Sequence, residues 1–124
     1  MEYTVIYHGE YFEIKTRGVA DFKRFQDMVK SLFEHDKWKL GSHILIDHTE
    51  LDSGFLTTND IQAIANLCAE YRALFGKGKI AIVVARDLEY GMIRMWQAFM
   101  NSKVWDMSDK LFKSRDEAIA WIIA

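Results

Sequence analysis

The chain has 124 residues, half of them hydrophobic, with 16 Lys and Arg against 18 Asp and Glu. That length suits one domain with its own core, read here as residues 1–124, and nearly balanced charge sets up no field to draw nucleic acid or an anionic membrane surface. With no proline, no repeat and no low-complexity tract, nothing marks a linker.

Met1-Glu2-Tyr3-Thr4-Val5 has neither the basic start nor the apolar run of a signal, and no segment approaches membrane-spanning length. A cytoplasmic location is the expectation. The single cysteine, Cys68, excludes an internal disulfide and falls on an apolar helical stripe, where a buried thiol is expected.

Tyr3 to Tyr7 and Tyr11 to Lys15 are β-rich runs around His8-Gly9-Glu10, the pattern of a hairpin. Phe22, Phe25, Met28, Val29, Leu32 and Phe33 then repeat at helical spacing behind Asp21 as N-cap, which predicts a helix over 21–33. His43 to Asp47 reads as a buried strand ending on a carboxylate, and His48 to Leu56 as the loop after it. Thr57 and Asp60 form a capping box for a second helix with the stripe Ile61, Ile64, Ala65, Cys68, Tyr71 and Phe75, stopped by Gly76 and Gly78.

Lys79 to Ala85 has no polar member after its lysine, as in a strand buried on both faces. It is followed by a helical stripe of Leu88, Met92, Met95, Trp96 and Phe99, with Asp87 as the expected N-cap. A less regular stretch holds Val104, Trp105 and Met107. Lys110 to Lys113 suits an edge strand, and Ser114 with Glu117 opens a last helix that buries Ala118, Trp121 and Ile122. The fold class is therefore α/β, a single mixed sheet of about five strands in the order β-β-α-β-α-β-α-β-α with helices packed on it. The helices after His43–Asp47 and after Lys79–Ala85 serve as crossovers between parallel strands.

Three stretches together resemble the STAS superfamily (sulfate transporter and anti-sigma factor antagonist), in particular its SpoIIAA-like families of small bacterial proteins. They are Ile44-Leu45-Ile46-Asp47 with Leu51, Ile80 to Trp96, and Phe112 to Trp121. The resemblance implies a non-enzymatic switch or interaction domain, on a fold related to one that binds lipids. In anti-sigma antagonists an Asp-Ser-Ser-Gly segment carries a phosphorylated serine at a helix N-terminus. Asp52-Ser53-Gly54 is similar with one serine fewer, so the resemblance carries Ser53 over as the phosphoacceptor, although Thr57 as the helix start leaves it in the loop.

Ligand sites in open α/β sheets lie beyond the carboxyl ends of strands. Asp47, Asp52, Ser53, Arg86, Asp87, Tyr90, Gly91 and Arg94 are accordingly the candidate regulatory or ligand edge, with the three aspartates gathering there. Gly91 in the first turn of a helix suggests a close approach to the backbone. His8, His35, His43 and His48 show no metal-ligand spacing, and His48 beside Asp47 on a strand points to the opposite face. No catalytic residue, metal or cofactor is expected. The Met and Trp set from Met92 to Met107 is mostly core, with part left to line an apolar pocket or a partner surface. Two functions follow: a non-catalytic regulatory or protein-interaction domain with a protein partner, or a binder of a small apolar or amphipathic, lipid-like ligand. Trp38, Trp105 and Met107 as exposed candidates suggest a homodimer.

Overall fold

The computed structural model describes residues 1–103 and 105–124, so Val104 lies outside the described residues. Strands β1 (Glu2–Tyr7) and β2 (Phe12–Val19) form the hairpin, with Tyr7 opposite Phe12. Their link turns at Gly9, whose φ of 88° is one that side chains with a Cβ seldom adopt. Helix α1 (Phe22–Glu34) starts where the Asp21 carboxylate accepts from the amide of Lys23. Strand β3 (Ile44–Asp52) follows, then helix α2 (Thr58–Glu70), capped reciprocally by Thr57 and Asp60. The continuous helix expected to reach Phe75 breaks at Tyr71 into a short α3 (Arg72–Phe75) that ends on Gly76 at φ 75°. Strand β4 (Lys79–Val83), helix α4 (Asp87–Asn101), strand β5 (Ser108–Phe112) and helix α5 (Arg115–Ile123) complete the chain.

The five strands lie in sequence order, β1 antiparallel to β2 and every later pair parallel. Parallel neighbours require crossovers, and α1, α2 with α3, and α4 supply them. Their apolar faces join the larger core, with Phe12, Ile14, Ile44, Ile80 and Ile82 from the sheet. Helix α5 covers the other face, packing Ala118 and Ile122 on Leu45, Ala81, Val83 and Phe112. Strand β4 is thus buried on both faces, as its unbroken apolar run predicts. Among the described residues no helix is long and apolar enough to cross a membrane.

The main departure from expectation is in β3. It runs past Asp47 to Asp52, because β2 is itself long enough to pair with residues 50–52 through Arg17, Gly18 and Val19. Between Lys15 and Arg17 the register shifts, so that β3 carries one residue more than β2. A single extra residue reverses which side chains face which layer. Before the bulge Ile44, Ile46 and His48 face the α1–α2–α4 side; after it Leu51 and Ser53 do. Asp47, expected at a strand end, is instead buried within β3 on the α5 side with Leu45.

The stripe of α4 is also rotated from expectation. Glu89, Trp96 and Met100 are buried, while Leu88 and Met95 are exposed. Met107 is buried, and Trp38 packs on Phe12 and Phe33 with its indole N–H donating to the Leu74 carbonyl. With Trp105 against Phe75 and Trp96, the three residues singled out for self-association form no exposed patch.

Candidate functional site

The loops after β3 and β4 lie side by side, as parallel crossovers require. Ser53 begins the first loop and donates its hydroxyl to Glu89 Oε2 at 2.6 Å. Its backbone amide reaches the same oxygen at 3.3 Å. Arg86, the N-cap of α4, closes a two-armed pair on Glu89, with Nε to Oε1 at 2.6 Å and Nη2 to Oε2 at 2.7 Å. The outer side of the guanidinium approaches Asp52 Oδ1 at 3.5 Å, and that oxygen also accepts from the Gly54 amide. Glu89 is 3% exposed. Burial pushes its carboxyl up, but Arg86 and Ser53 together outweigh that and hold it at about 2.

Behind this gate lies a cavity of about 90 Å³, between the sheet and the layer of α1, α2 and α4. Its walls are mainly aliphatic, including Ile14, Ile46, Ile82, Met28 and Leu67, with Trp96 and Trp105 toward α4. Ile46, Leu56, Ile64, Met92, Ile93 and Trp105 are its half-buried members, from β3, the loop before α2, α2, α4 and the segment after α4. Ser53 and Glu89 line it at the polar end. The third polar member is His48, whose Nδ1 lies 2.6 Å from Thr16 Oγ1 and whose ring meets Phe25 edge-on. Burial pushes His48 down to about 4, against the opposing pull of Asp47 and Glu89, so the ring is neutral at pH 7. Cys68 also lines the cavity, its thiol pushed up to about 12 by burial. Among the described residues, the indole N–H groups of Trp96 and Trp105 have no hydrogen-bond partner.

Of the expected edge, Asp52, Ser53 and Arg86 come together. Asp47 does not join them: its Oδ1 accepts from the amide and hydroxyl of Thr49, and it faces α5. Asp87 is the first residue of α4 rather than its cap, exposed and paired with Lys113. A carboxylate inside the first turn interacts with the positive helix end without bonding an amide, which is why the N-cap position can fall one residue earlier. Tyr90 is exposed and carries the Lys113 ammonium over its ring at 5.5 Å. Gly91 has open space where a Cβ would sit, so no backbone approach explains it. Arg94 is exposed and, among the described residues, forms no ion pair. Ser53, carried over as phosphoacceptor, is 4% exposed with its hydroxyl committed to Glu89.

Glu89 was the residue that spacing could have found. It stands three, four and seven residues before Met92, Ile93 and Trp96, which puts a carboxylate on an apolar face, three residues after an arginine. A second charged group, Glu13 with Arg115 at 2.9 Å and His8 at 2.8 Å, ties α5 to β2 on the far side of the sheet. Among the described residues no group of His, Cys, Asp and Glu is arranged to hold a metal ion.

A solved structure of an uncharacterized DUF3478-family protein from Shewanella loihica PV-4, described as having a SpoIIAA-like fold, is similar at a TM-score of 0.61. The two share 20% identity, over 98% of this chain and 92% of that one. The chain has a SpoIIAA-like fold. No protein-family model matches the chain, and no curated protein does. Within the SpoIIAA-like frame, the bulged β3 and the α4 N-terminus are what deliver Ser53, Glu89 and Arg86 to one end of the sheet.

Proposed function

We propose that this SpoIIAA-like domain is a non-catalytic binding protein for a small apolar or amphipathic molecule, held between the sheet and the layer of α1, α2 and α4. The observation that carries this is the apolar cavity whose one polar end is Ser53 and Glu89, with Arg86 closing it from outside. Binding sites are typically apolar concavities with a few placed polar groups. A cavity of about 90 Å³ is below the ~150 Å³ of an engineered cavity that takes benzene, so the enclosed part suits roughly four non-hydrogen atoms. A longer ligand would carry its remainder out past the half-buried wall. The polar groups argue for binding over catalysis. A carboxylate held at about 2 is too weak a base to activate Ser53, and a thiol near 12 is no nucleophile at neutral pH.

The test is methyl NMR of the wild-type domain with cyclopentane and 1-butanol as probes, beside Ile93→Trp as a cavity-filled control. Saturable shifts at Ile46, Ile64 and Met92, lost in Ile93→Trp, are expected. No saturable shift at millimolar probe would refute the proposal.

An interaction domain is the second reading, supported by Phe55, which is 76% exposed at the same end of the sheet as the exposed Leu88. The space a side chain on Gly54 would take lies 3.8 Å from Leu88, which sets the loop after β3 beside the first turn of α4. Phe55→Ser would then weaken self-association or partner binding while leaving cavity probes unaffected.

A further inference from the structure

The chemistry of the cavity's ligand is narrowed by His48, and the inference rests on the binding function proposed above. Thr16 Oγ1 lies 2.6 Å from His48 Nδ1 and 3.3 Å from the Asp47 carbonyl oxygen. The threonine has one proton to give, and a carbonyl oxygen can only accept. Both contacts are satisfied when Thr16 donates to Asp47 and accepts from Nδ1–H. That network assigns the tautomer: the proton is on Nδ1, and Nε2 carries the lone pair. The Nδ1 edge is occupied by β2, so Nε2 is the edge left over, and among the described residues no protein group donates to it. His48 is 6% exposed and lines the cavity.

The other polar wall groups do not take the same role: the unpartnered indole N–H groups of Trp96 and Trp105 only donate and cannot accept a ligand's proton. Glu89 Oε2 already accepts from the hydroxyl and amide of Ser53 and from Arg86, Oε1 is held by Arg86 Nε, and Ser53 has spent its only hydroxyl proton on Glu89. This carboxylate therefore meets most of its acceptor capacity within the protein, while among the described residues Nε2 meets none. A ligand carboxylate would bring no donor to His48 at neutral pH and would place its charge in an apolar space beside the Glu89 carboxylate. A neutral hydroxyl has the donor that Nε2 lacks and needs no counter-ion. We propose that the ligand is a neutral alcohol, a hydroxyl on a short apolar body, and that its O–H donates to His48 Nε2 while its carbon chain fills the aliphatic part of the cavity.

Three probes of nearly equal size decide this: 1-butanol, methyl propyl ether and butanoate, each titrated at pH 7 into wild type and His48→Leu. In wild type 1-butanol should bind about tenfold more tightly than the ether, the worth of one hydrogen bond whose loss leaves a buried acceptor unmet, and butanoate weakest of the three. His48→Leu should bind alcohol and ether alike. The nitrogen-15 resonance of His48 in unsubstituted protein is the independent readout, showing an unprotonated Nε2 that moves upfield with 1-butanol and stays with the ether. Equal binding of alcohol and ether to wild type, or a proton found on Nε2 of the free domain, overturns the alcohol assignment and leaves the cavity-binding function standing. No binding of either neutral probe overturns both.

Discussion

Ser53 and Glu89, 36 residues apart in the chain, meet at 2.6 Å in the interior and tie the crossover loop after β3 to the first turn of α4. Arg86 completes the contact from the solvent side, where its side chain is 56% exposed. Removing one partner of such a pair costs more than the pair contributes, because the other charge is left buried. Arg86→Ala should therefore lower the denaturant midpoint, by less than for a fully enclosed pair because water reaches the guanidinium. Replacing both, as Arg86→Ala with Glu89→Leu, should recover part of that loss. Denaturant midpoints for the two single variants and the double variant supply the cycle, and strictly additive effects would show that the residues do not act as a pair.

The origin of this contact shows how far residues alone lead. Local signals were strong where one principle dominated: the Asp21 cap, the Thr57–Asp60 box and the apolar run of β4 all appear as expected. The placement of the two crossover loops followed from parallel pairing. Asp47 was misplaced because strand length is set by the neighbour, and β2 extends to Val19 while carrying charged and glycine residues that resemble a turn. Ile44, Ile46 and His48 followed by Leu51 and Ser53 change from even to odd positions, a parity break that requires a bulge once these side chains share a wall. Glu89 was hidden by the ordinary role of an acidic residue in a first helical turn. The cavity itself arises from how three helices fit over one sheet face, which no local pattern reports.

Acid should lower the stability of the domain over two pH windows. His48 is held at about 4 against an ordinary 6.5, so the unfolded chain binds the proton first and stability falls as pH drops from about 6.5 to about 4. Because the ring is buried, this is worth about 3 kcal/mol. Glu89, lowered to about 2 from 4.5, contributes stability that is present above about 4.5 and is lost as pH falls toward 2, worth about 1 to 2 kcal/mol given its solvent-facing partner. Stability measured in urea from pH 8 to pH 3 should show a clearly smaller upper loss in His48→Gln than in wild type, the remainder including His43, which burial also holds below its ordinary value. An unchanged slope between pH 6.5 and 4 in that variant would assign the loss to other groups.

Two glycines should respond oppositely to a methyl group. A Cβ on Gly91 meets nothing within 4 Å, and its φ lies outside the left-handed region, so Gly91→Ala should stabilise α4 by about 0.5 to 1 kcal/mol. A Cβ on Gly78 would stand 2.5 Å from the Ser42 carbonyl oxygen and 2.6 Å from that of Gly41, both backbone atoms that cannot swing aside. Gly78→Ala should cost about 2 kcal/mol or more by forcing apart the segments that lead into β3 and β4. Thermal midpoints that shift the same way in both variants would contradict this account.

Trp96 is 6% exposed, stands edge-on to Trp105 and forms part of the cavity wall. Trp96→Ala should cost about 3 to 5 kcal/mol, the range for a large aromatic removed from a packed interior. Because the hole would open into existing space, the variant should also accept larger probes than wild type, with cyclohexane binding measurably only after the substitution. A denaturant midpoint within error of wild type would place Trp96 outside the stabilising core.

Cys68 reports on opening of the same interior. Its thiol is pushed up to about 12, so at pH 8 only about one molecule in ten thousand carries the reactive thiolate even before access is considered. The residue is buried on α2 and lines the cavity, so a reagent reaches its sulfur only by entering the cavity or through local opening of the surrounding layer. Alkylation by iodoacetamide should therefore run at least a hundredfold slower than for an unfolded control. A ligand that fills the cavity binds the closed form alone and should slow the labelling further, in proportion to its occupancy. Saturating 1-butanol is thus expected to protect Cys68 in wild type and to protect it little in Ile93→Trp, where the space is already filled. Labelling at the unfolded rate would mean that the interior stands open to solvent, and protection unaffected by Ile93→Trp would place the bound probe away from the cavity.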